Sequence, residues 1–150
     1  MTADSPFDQE GLPSAQRVIA GEVADVYGVI DQIDRWSLWV DGLVAPVRTI
    51  GAGAFEMSSV REGTTTTHQL VITGRGPVHT LFAEVDGQYR ICFRTRPSAG
   101  GTHVHVVAEP IGKPRLWQRL GRHQARLPTP ERLRQLLDEL AIEVGQRRHG

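Results

Sequence analysis

Three side chains in this 150-residue chain are placed to move protons. His68 and His79 lie in segments where apolar and polar residues alternate, and Tyr89 lies in the next segment of this kind. Histidine titrates near neutral pH, so one imidazole can act as a general acid or base. A tyrosine hydroxyl can donate a hydrogen bond to a carbonyl oxygen. We therefore predict His79, His68 and Tyr89 as catalytic residues, with His79 as the first candidate.

A metal site is not predicted from the remaining histidines or from cysteine. His103 and His105 alternate along one segment, and the pattern places no third ligand beside them. His68 and His79 are expected to stand ~13 Å apart along paired strands, too far to share one ion. Cys92 is the only cysteine, which excludes an internal disulfide and a cysteine-based zinc site. We expect no metal and no cofactor.

Hydrolase chemistry is not predicted either. Ser58, Ser59 and Ser98 lack the glycine elbow of a hydrolase nucleophile and have no evident histidine or aspartate partner. The glutamates of the predicted strands occupy positions that face away from the cavity. No pair of carboxylates therefore points inward for glycoside hydrolysis. The paired glycines join strand to strand rather than strand to helix, so they do not form a phosphate-binding loop.

The elements that must position these side chains are mainly strands. Residues 43–111 contain no long helical stretch, and short glycine-rich or proline-rich links separate six strands there, which predicts an antiparallel meander. The predicted strands are Val44–Ile50, Ala54–Val60, Thr65–Thr73, Val78–Val85, Gln88–Thr95 and Thr102–Ala108. A further strand, Arg17–Ala20, precedes them and completes a set of seven.

Helices flank the meander on both sides. Apolar residues recur at helical spacing from Gly21 to Ile30, and a second short helix is predicted over residues 33–39. A helical stretch begins near Pro114 and is interrupted before the final helix, which Thr129 caps and Pro130 begins. One apolar stripe runs along this final helix as far as Val144. Its members are Leu133, Leu136, Leu137, Leu140 and Val144.

Strand parity predicts which side chains face a cavity between the sheet and the final helix. A two-residue turn at Arg75-Gly76 would place His79 on the inner face. A three-residue loop with a left-handed Gly87 would place Leu81 opposite Ile91 and His79 opposite Phe93. The predicted ligand-binding residues are Trp36, Trp39, Leu70, Ile72, Leu81, Ile91, Phe93, Val104, Leu133 and Leu137.

The opposite face of the sheet is expected to meet solvent. Parity places His103 and His105 there, together with Cys92 and neighbouring arginines. We expect both histidines to be dispensable for function.

Composition and charge set the wider limits. Apolar residues make up 39% of the chain, and Lys plus Arg equal Asp plus Glu at 17 each, so no net field attracts nucleic acid. No apolar run is long enough to span a membrane, and no secretory signal begins the chain, so we expect a cytoplasmic protein. Residues 113–150 hold nine basic and four acidic residues. We expect a disordered tail over residues 1–13 and a single domain over residues 14–147.

Several local motifs agree with a known fold. The segment Asp31–Trp39 resembles a stretch in which START/Bet v 1-like (SRPBCC) proteins carry an aspartate followed by two aromatic residues. Gly51-Ala52-Gly53 resembles their glycine turn, and Gly100-Gly101-Thr102 resembles the beginning of their last strand. The chain resembles this superfamily over residues 14–146, within the polyketide cyclase/dehydrase and lipid-transport group. The resemblance implies an α+β helix-grip fold, in which a seven-stranded antiparallel sheet wraps around a long C-terminal helix and two short helices follow the first strand.

The resemblance also implies a function. A polyketide cyclase or aromatase would bind a poly-ketone or aromatic molecule in the cavity and promote aldol-type cyclisation and dehydration by acid/base chemistry. The alternative is a non-catalytic carrier or sensor of a lipid or other hydrophobic molecule, for which the cavity suffices. A third interpretation, a protein-interaction module, rests only on the basic C-terminal segment. That Arg-rich segment could dock an acyl carrier protein; we expect no nucleic-acid or membrane partner, and either a monomer or a homodimer.

Overall fold

The computed structural model describes residues 5–111 and 127–149. Its strands are β1 (Ser14–Ile19), β2 (Leu43–Gly51), β3 (Ala54–Arg61), β4 (Thr64–Gly76), β5 (Thr80–Val85), β6 (Tyr89–Ser98) and β7 (Gly101–Pro110). Its α-helices are α1 (Val23–Asp31) and α2 (Pro130–His149), and its 3-10 helices are Pro6–Asp8 and Ile33–Leu38. The helical stretch expected to begin near Pro114 lies outside the described residues.

The seven strands form one antiparallel sheet in the order β1-β7-β6-β5-β4-β3-β2. Each strand from β2 to β7 pairs with its neighbour in sequence, and β1 pairs with β7. Glycine is required where β7 begins, because a Cβ on Gly101 would collide with the carbonyl oxygen of Ile19 at the end of β1. The predicted helix-grip architecture is therefore confirmed, with α1 and the Ile33–Leu38 helix after the first strand and α2 at the C-terminal end.

The core lies between one face of the sheet and α2. All five members of the predicted leucine and valine stripe of α2 are buried, so this helix packs as the periodicity indicates. The predicted cap is also present, because Thr129 Oγ1 accepts a hydrogen bond from the backbone N–H of Arg132 at 3.1 Å. The rings of Trp36 and Trp39 meet edge to face at 5.7 Å and close one end of this core.

The β4–β5 hairpin differs from the expected two-residue turn. Gly76 pairs with Thr80, so the loop is the three-residue segment Pro77–His79, in which Val78 and His79 have φ angles of 60° and 45°. The hydroxyl of Thr80 donates to the carbonyl oxygen of Pro77 at 2.7 Å and braces this loop. A register shift between Ile72 and Gly74 accompanies the loop and realigns the two strands.

The β5–β6 hairpin has the predicted three-residue loop. Val85 pairs with Tyr89 across Asp86-Gly87-Gln88, and Gly87 has a left-handed φ of 64°. The register within the hairpin differs by two residues, because Leu81 lies opposite Phe93 rather than opposite Ile91. A shift of two leaves Leu81, Ile91 and Phe93 on their predicted face.

The outer face of the sheet is covered in part by the N-terminal residues. Pro6–Asp8 forms a 3-10 turn, and the ring of Phe7 lies 5.3 Å from that of His105, with the guanidinium of Arg94 at 4.5 Å from the Phe7 ring. The expectation that His105 and Cys92 meet solvent is wrong, since both are buried. The ring of Phe7 also lies 6.5 Å from that of Phe82, so this turn makes apolar contact with the outer face. The disordered tail over residues 1–13 and the single domain over residues 14–147 stay predictions.

Candidate functional site

A pocket of about 840 Å³ opens on the core side of the sheet, between β3, β4 and β6 and the beginning of α2. Its apolar lining consists of Trp36, Val40, Leu43, Met57, Val60, Leu70, Val85, Ile91, Leu127, Pro128, Leu133 and Leu136. One edge is polar and carries Ser59, Thr66, His68, Tyr89, Arg132 and Gln135. An apolar ligand could therefore be buried in this pocket while one end met hydrogen-bonding and titratable groups.

His68 is positioned by the β3–β4 hairpin. His68 pairs with Met57 and Ser59 pairs with Thr66, so Ser59 and His68 are diagonal neighbours on the inner face of the sheet. Their side chains meet, with Ser59 Oγ 2.8 Å from His68 Nε2. Both are half-buried at the pocket edge, where a bound molecule can reach them.

Asp86 fixes the other side of the imidazole. Its Oδ2 lies 2.8 Å from His68 Nδ1, and its Oδ1 accepts a hydrogen bond from the backbone N–H of Gln69 at 2.8 Å. The Asp86 N–H donates to the Gln69 carbonyl oxygen at 2.8 Å. A carboxylate only accepts hydrogen bonds, so Nδ1 carries a proton, and in the neutral ring Nε2 accepts from the Ser59 hydroxyl.

Tyr89 and Arg132 complete the polar edge. Burial raises the pKa of the Tyr89 hydroxyl, the negative charge of Asp86 raises it further, and the positive charge of Arg132 acts in the opposite direction. The hydroxyl therefore keeps its proton at neutral pH and remains a hydrogen-bond donor. Arg132 is held by Glu139 Oε1 and by the carbonyl oxygen of Asp41, each at 3.3 Å.

Comparison with known proteins identifies the architecture but no sequence family. No family model matches the sequence, and no curated protein matches it. The solved di-domain ARO/CYC StfQ from the steffimycin biosynthetic pathway is 14% identical, with a TM-score of 0.62 over 91% of this chain and 52% of that one. A START superfamily protein from Mycobacterium smegmatis is 12% identical, with a TM-score of 0.62 over 89% of this chain and 97% of that one. Ara h 8.0201 is also 12% identical, with a TM-score of 0.62 over 89% of this chain and 96% of that one.

The chain has the helix-grip fold of START and Bet v 1-like proteins. The recognition made from the Asp31–Trp39 segment and the two glycine motifs is thus confirmed at the level of fold. In this helix-grip protein the pocket lies between the sheet and the N-terminal end of α2.

The predicted ligand-binding residues divide into two groups in the helix-grip protein. Trp36, Leu70, Ile91 and Leu133 line the pocket together with His68 and Tyr89. The others pack in or against the core away from the pocket lining, because sheet and helices are in direct contact there. These are Trp39, Ile72, Leu81, Phe93, Val104 and Leu137.

The prediction that His79 faces the cavity is wrong. His79 lies in the Pro77–His79 loop, where its side chain is exposed and its ring meets that of Tyr27 edge-on at 5.1 Å. Its carbonyl oxygen accepts hydrogen bonds from the N–H of Thr95 at 3.2 Å and from its hydroxyl at 3.0 Å. The cause is the loop length, because a three-residue loop removes His79 from the strand that a two-residue turn would have extended.

The sequence analysis missed several polar residues of the site, among them Ser59, Asp86 and Arg132. Ser59 was set aside because no partner was evident, yet a two-residue turn at Glu62-Gly63 makes Ser59 and His68 diagonal neighbours, so its signal was present. Asp86 reaches His68 only through the β4–β5 register, which the shift between Ile72 and Gly74 determines. The sequence offered no signal for that contact.

The described residues form neither a metal cluster nor a membrane-spanning helix. Among residues 5–111 and 127–149, no group of three or more His, Cys, Asp or Glu side chains gathers in a way that could hold a metal ion. Within the same residues, no helix combines the length and apolar composition needed to cross a membrane.

Proposed function

We propose that this protein binds a hydrophobic poly-ketone or aromatic molecule in the pocket and promotes its aldol-type cyclisation and dehydration. The observation that carries the proposal is an apolar pocket with one polar edge, at which Asp86 orients His68 and the Tyr89 hydroxyl stays protonated. The fold is shared with solved aromatase/cyclases, and this similarity supports a cyclisation activity.

The proposed chemistry divides between two side chains. His68 Nε2 exchanges its contact with Ser59 for a contact with the substrate. It then removes a proton from a methylene between two carbonyl groups. The Tyr89 hydroxyl donates a hydrogen bond to the oxygen of the carbonyl group whose carbon receives the new carbon–carbon bond, and stabilises the negative charge that develops on this oxygen. The protonated imidazole returns its proton to the alkoxide and gives the aldol hydroxyl. His68 Nε2 then removes the second proton of the same methylene and delivers it to this hydroxyl, which leaves as water as the carbon–carbon double bond forms. Asp86 stabilises the imidazolium between these steps.

Ligand binding is tested by filling the pocket. Val85 lines it, whereas Val71 lies on the opposite face of the sheet and is 39% exposed. The Val85→Trp variant should weaken binding of the apolar dye 1-anilinonaphthalene-8-sulfonate at least tenfold by fluorescence titration, because the indole occupies the space of the ligand. The matched Val71→Trp variant should bind as the wild type does. Equal affinities in the two variants would place the ligand elsewhere.

Catalysis is tested at His68 with a synthetic poly-β-ketone thioester. The His68→Gln variant keeps hydrogen bonding but loses basicity, so formation of the cyclised, dehydrated product should fall by ~10²–10⁴. The matched His79→Gln variant changes an exposed loop residue and should retain wild-type turnover. Product formation by both variants is measured by mass spectrometry. Wild-type turnover in a folded His68→Gln protein would contradict the mechanism.

A non-catalytic carrier or sensor is the second candidate, and the largely apolar lining favours it because such a lining suffices for binding. For a carrier, the His68→Gln variant should change affinity by no more than one hydrogen bond, ~0.5–1.5 kcal/mol. The wild-type protein would then show saturable binding of the poly-ketone without conversion.

The basic C-terminal segment supports delivery of the substrate by an acidic acyl carrier protein. Among its described members Arg134 and Arg148 are exposed, while Arg132 and Arg147 bind Glu139 and Glu143. A substrate on a carrier protein should therefore have a lower KM than the same acyl group on a small thiol. Raising the ionic strength should remove this difference, and an unchanged difference would contradict electrostatic docking.

A further inference from the structure

We propose that Ser59, His68 and Asp86 form a nucleophilic triad that hydrolyses an activated ester or thioester whose apolar acyl group occupies the pocket. This activity goes beyond the proposed cyclisation, because it forms a covalent acyl-enzyme at Ser59. It shares the pocket and His68 with the cyclisation but does not depend on it.

The two contacts of the triad have the lengths that proton transfer requires. Ser59 Oγ is 2.8 Å from His68 Nε2, and His68 Nδ1 is 2.8 Å from Asp86 Oδ2. A nucleophile, a base and an orienting group within hydrogen-bond reach in this order are the pattern of an activated serine, which occurs on unrelated folds. Two members lie on adjacent strands, so their relative position is set by the β3–β4 ladder rather than by a mobile loop.

Asp86 is held in place more firmly than a surface carboxylate would be. Its Oδ1 accepts from the Gln69 N–H, its own N–H donates to the Gln69 carbonyl oxygen, and its φ of 55° is in the left-handed region. These contacts direct Oδ2 to His68 Nδ1. The carboxylate thereby leaves Nε2 free to accept the serine proton, and it stabilises the imidazolium that forms.

The reaction balances without any further cofactor. Ser59 Oγ attacks the carbonyl carbon of the ester as His68 Nε2 takes the hydroxyl proton, and a tetrahedral oxyanion forms. The carbon–oxygen or carbon–sulfur bond to the leaving group breaks, and the imidazolium returns the proton to that alcohol or thiol. Water then attacks the acyl-serine, with its proton passing to His68 and back to Ser59 Oγ. The products are a carboxylic acid and free enzyme.

The surroundings determine the substrate class. Tyr89 and Arg132 line the same pocket, where a hydroxyl donor and a positive charge stabilise the developing oxyanion. Beyond the triad the pocket is lined by Leu70, Ile91 and Leu133, of which each is at most 7% exposed, so the acyl group is apolar. An aryl ester or a thioester supplies the good leaving group that this arrangement favours.

The decisive experiment is covalent labelling of the wild-type protein. An alkyl fluorophosphonate should label one residue, and peptide mass spectrometry should locate the label on Ser59. With p-nitrophenyl octanoate the protein should release p-nitrophenol in a burst equal to the enzyme concentration and carry an octanoyl group on the same serine. Absence of label, or label on another residue, would overturn the proposal without the need for any variant.

Variants distinguish a serine that the triad activates from a serine that reacts only because it is exposed. The Ser59→Ala variant should lose labelling and the burst, whereas Ser58→Ala changes a neighbour on the opposite face and should retain both. The His68→Asn and Asp86→Asn variants should each lower the acylation rate by ~10²–10⁴, with folding verified by circular dichroism. Hydrolysis by Ser59→Ala at the wild-type rate would refute the nucleophilic role.

The same variants distinguish this proposal from the cyclisation. The Ser59→Ala variant should still cyclise the poly-β-ketone, because that chemistry uses His68 and Tyr89. The His68→Asn variant should lose both activities. Labelling of Ser59 without any cyclisation would support the triad and contradict the proposed function. Cyclisation without labelling would support the proposed function and contradict the triad.

Discussion

His105 should make the stability of this protein fall between about pH 6.5 and about pH 4. The imidazole lies on the outer face of the sheet beneath the ring of Phe7, and its residue is 5% exposed. Its Nδ1 has no hydrogen-bond partner among the described residues. A charged imidazole would lose its hydration there without compensation, so the folded protein should keep this side chain neutral.

The environment of His105 adds to the effect of burial. Desolvation is the largest cause that lowers its pKa, from 6.5 to about 4, and the positive charge of Arg94 on the neighbouring strand adds to it. His103 and Arg96 act in the same direction, whereas the carboxylate of Asp8 on the N-terminal turn opposes them.

The magnitude follows from proton linkage. Below pH 6.5 the unfolded chain takes up a proton on His105 that the folded protein does not accept until about pH 4. Each pH unit within this window lowers the free energy of unfolding by ~1.4 kcal/mol, about 3 kcal/mol over the whole window. The stabilisation that comes from the neutral His105 is fully present above pH 6.5. It is lost by about pH 4, and below that pH it should not change further.

The assay is urea denaturation at intervals of pH across this window, for the wild type and for His105→Gln. Other groups titrate in both proteins, so the difference between their free energies of unfolding isolates His105. We expect that difference to change by about 3 kcal/mol as the pH falls. The His103→Gln variant is the control, because His103 is less buried and contacts Gln16 Oε1 at 2.8 Å. A difference that stayed constant with pH would refute the reasoning.

Three further predictions test the packing. Leu137 is 1% exposed, so Leu137→Ala should lower the free energy of unfolding by ~2–5 kcal/mol in urea denaturation, whereas Ile142→Ala, at a site 62% exposed on the same helix, should cost less than ~0.5 kcal/mol. Burial raises the pKa of the Cys92 thiol to about 12, so a disulfide reagent at mildly alkaline pH should modify it only after denaturation. His79→Gln should leave the melting temperature within a few degrees of the wild type, and a large drop would show that the Pro77–His79 loop packs more tightly than its exposure indicates.

The sequence alone determined the order of the elements and the face on which most side chains lie. Alternation with a period of two assigns Leu70, Ile91 and Phe93 to the inner face, and this assignment survives a register error of two residues because the period is also two. The stripe from Leu133 to Val144 identifies the buried side of α2 in the same way, since the helical period repeats over several turns. Such periodic signals are local, so no knowledge of distant contacts is needed to interpret them.

The tertiary structure decided the contacts on which the site depends. A glycine and a proline near residue 76 are compatible with a two-residue or a three-residue loop, and only the paired strands select the loop that removes His79 from the pocket. The register shift between Ile72 and Gly74 then sets which residue of the β5–β6 loop reaches His68, so the contact with Asp86 is a product of strand alignment. Burial of His105 by Phe7 likewise joins segments about a hundred residues apart. Contacts of this kind depend on how whole elements pack, and no local pattern encodes them.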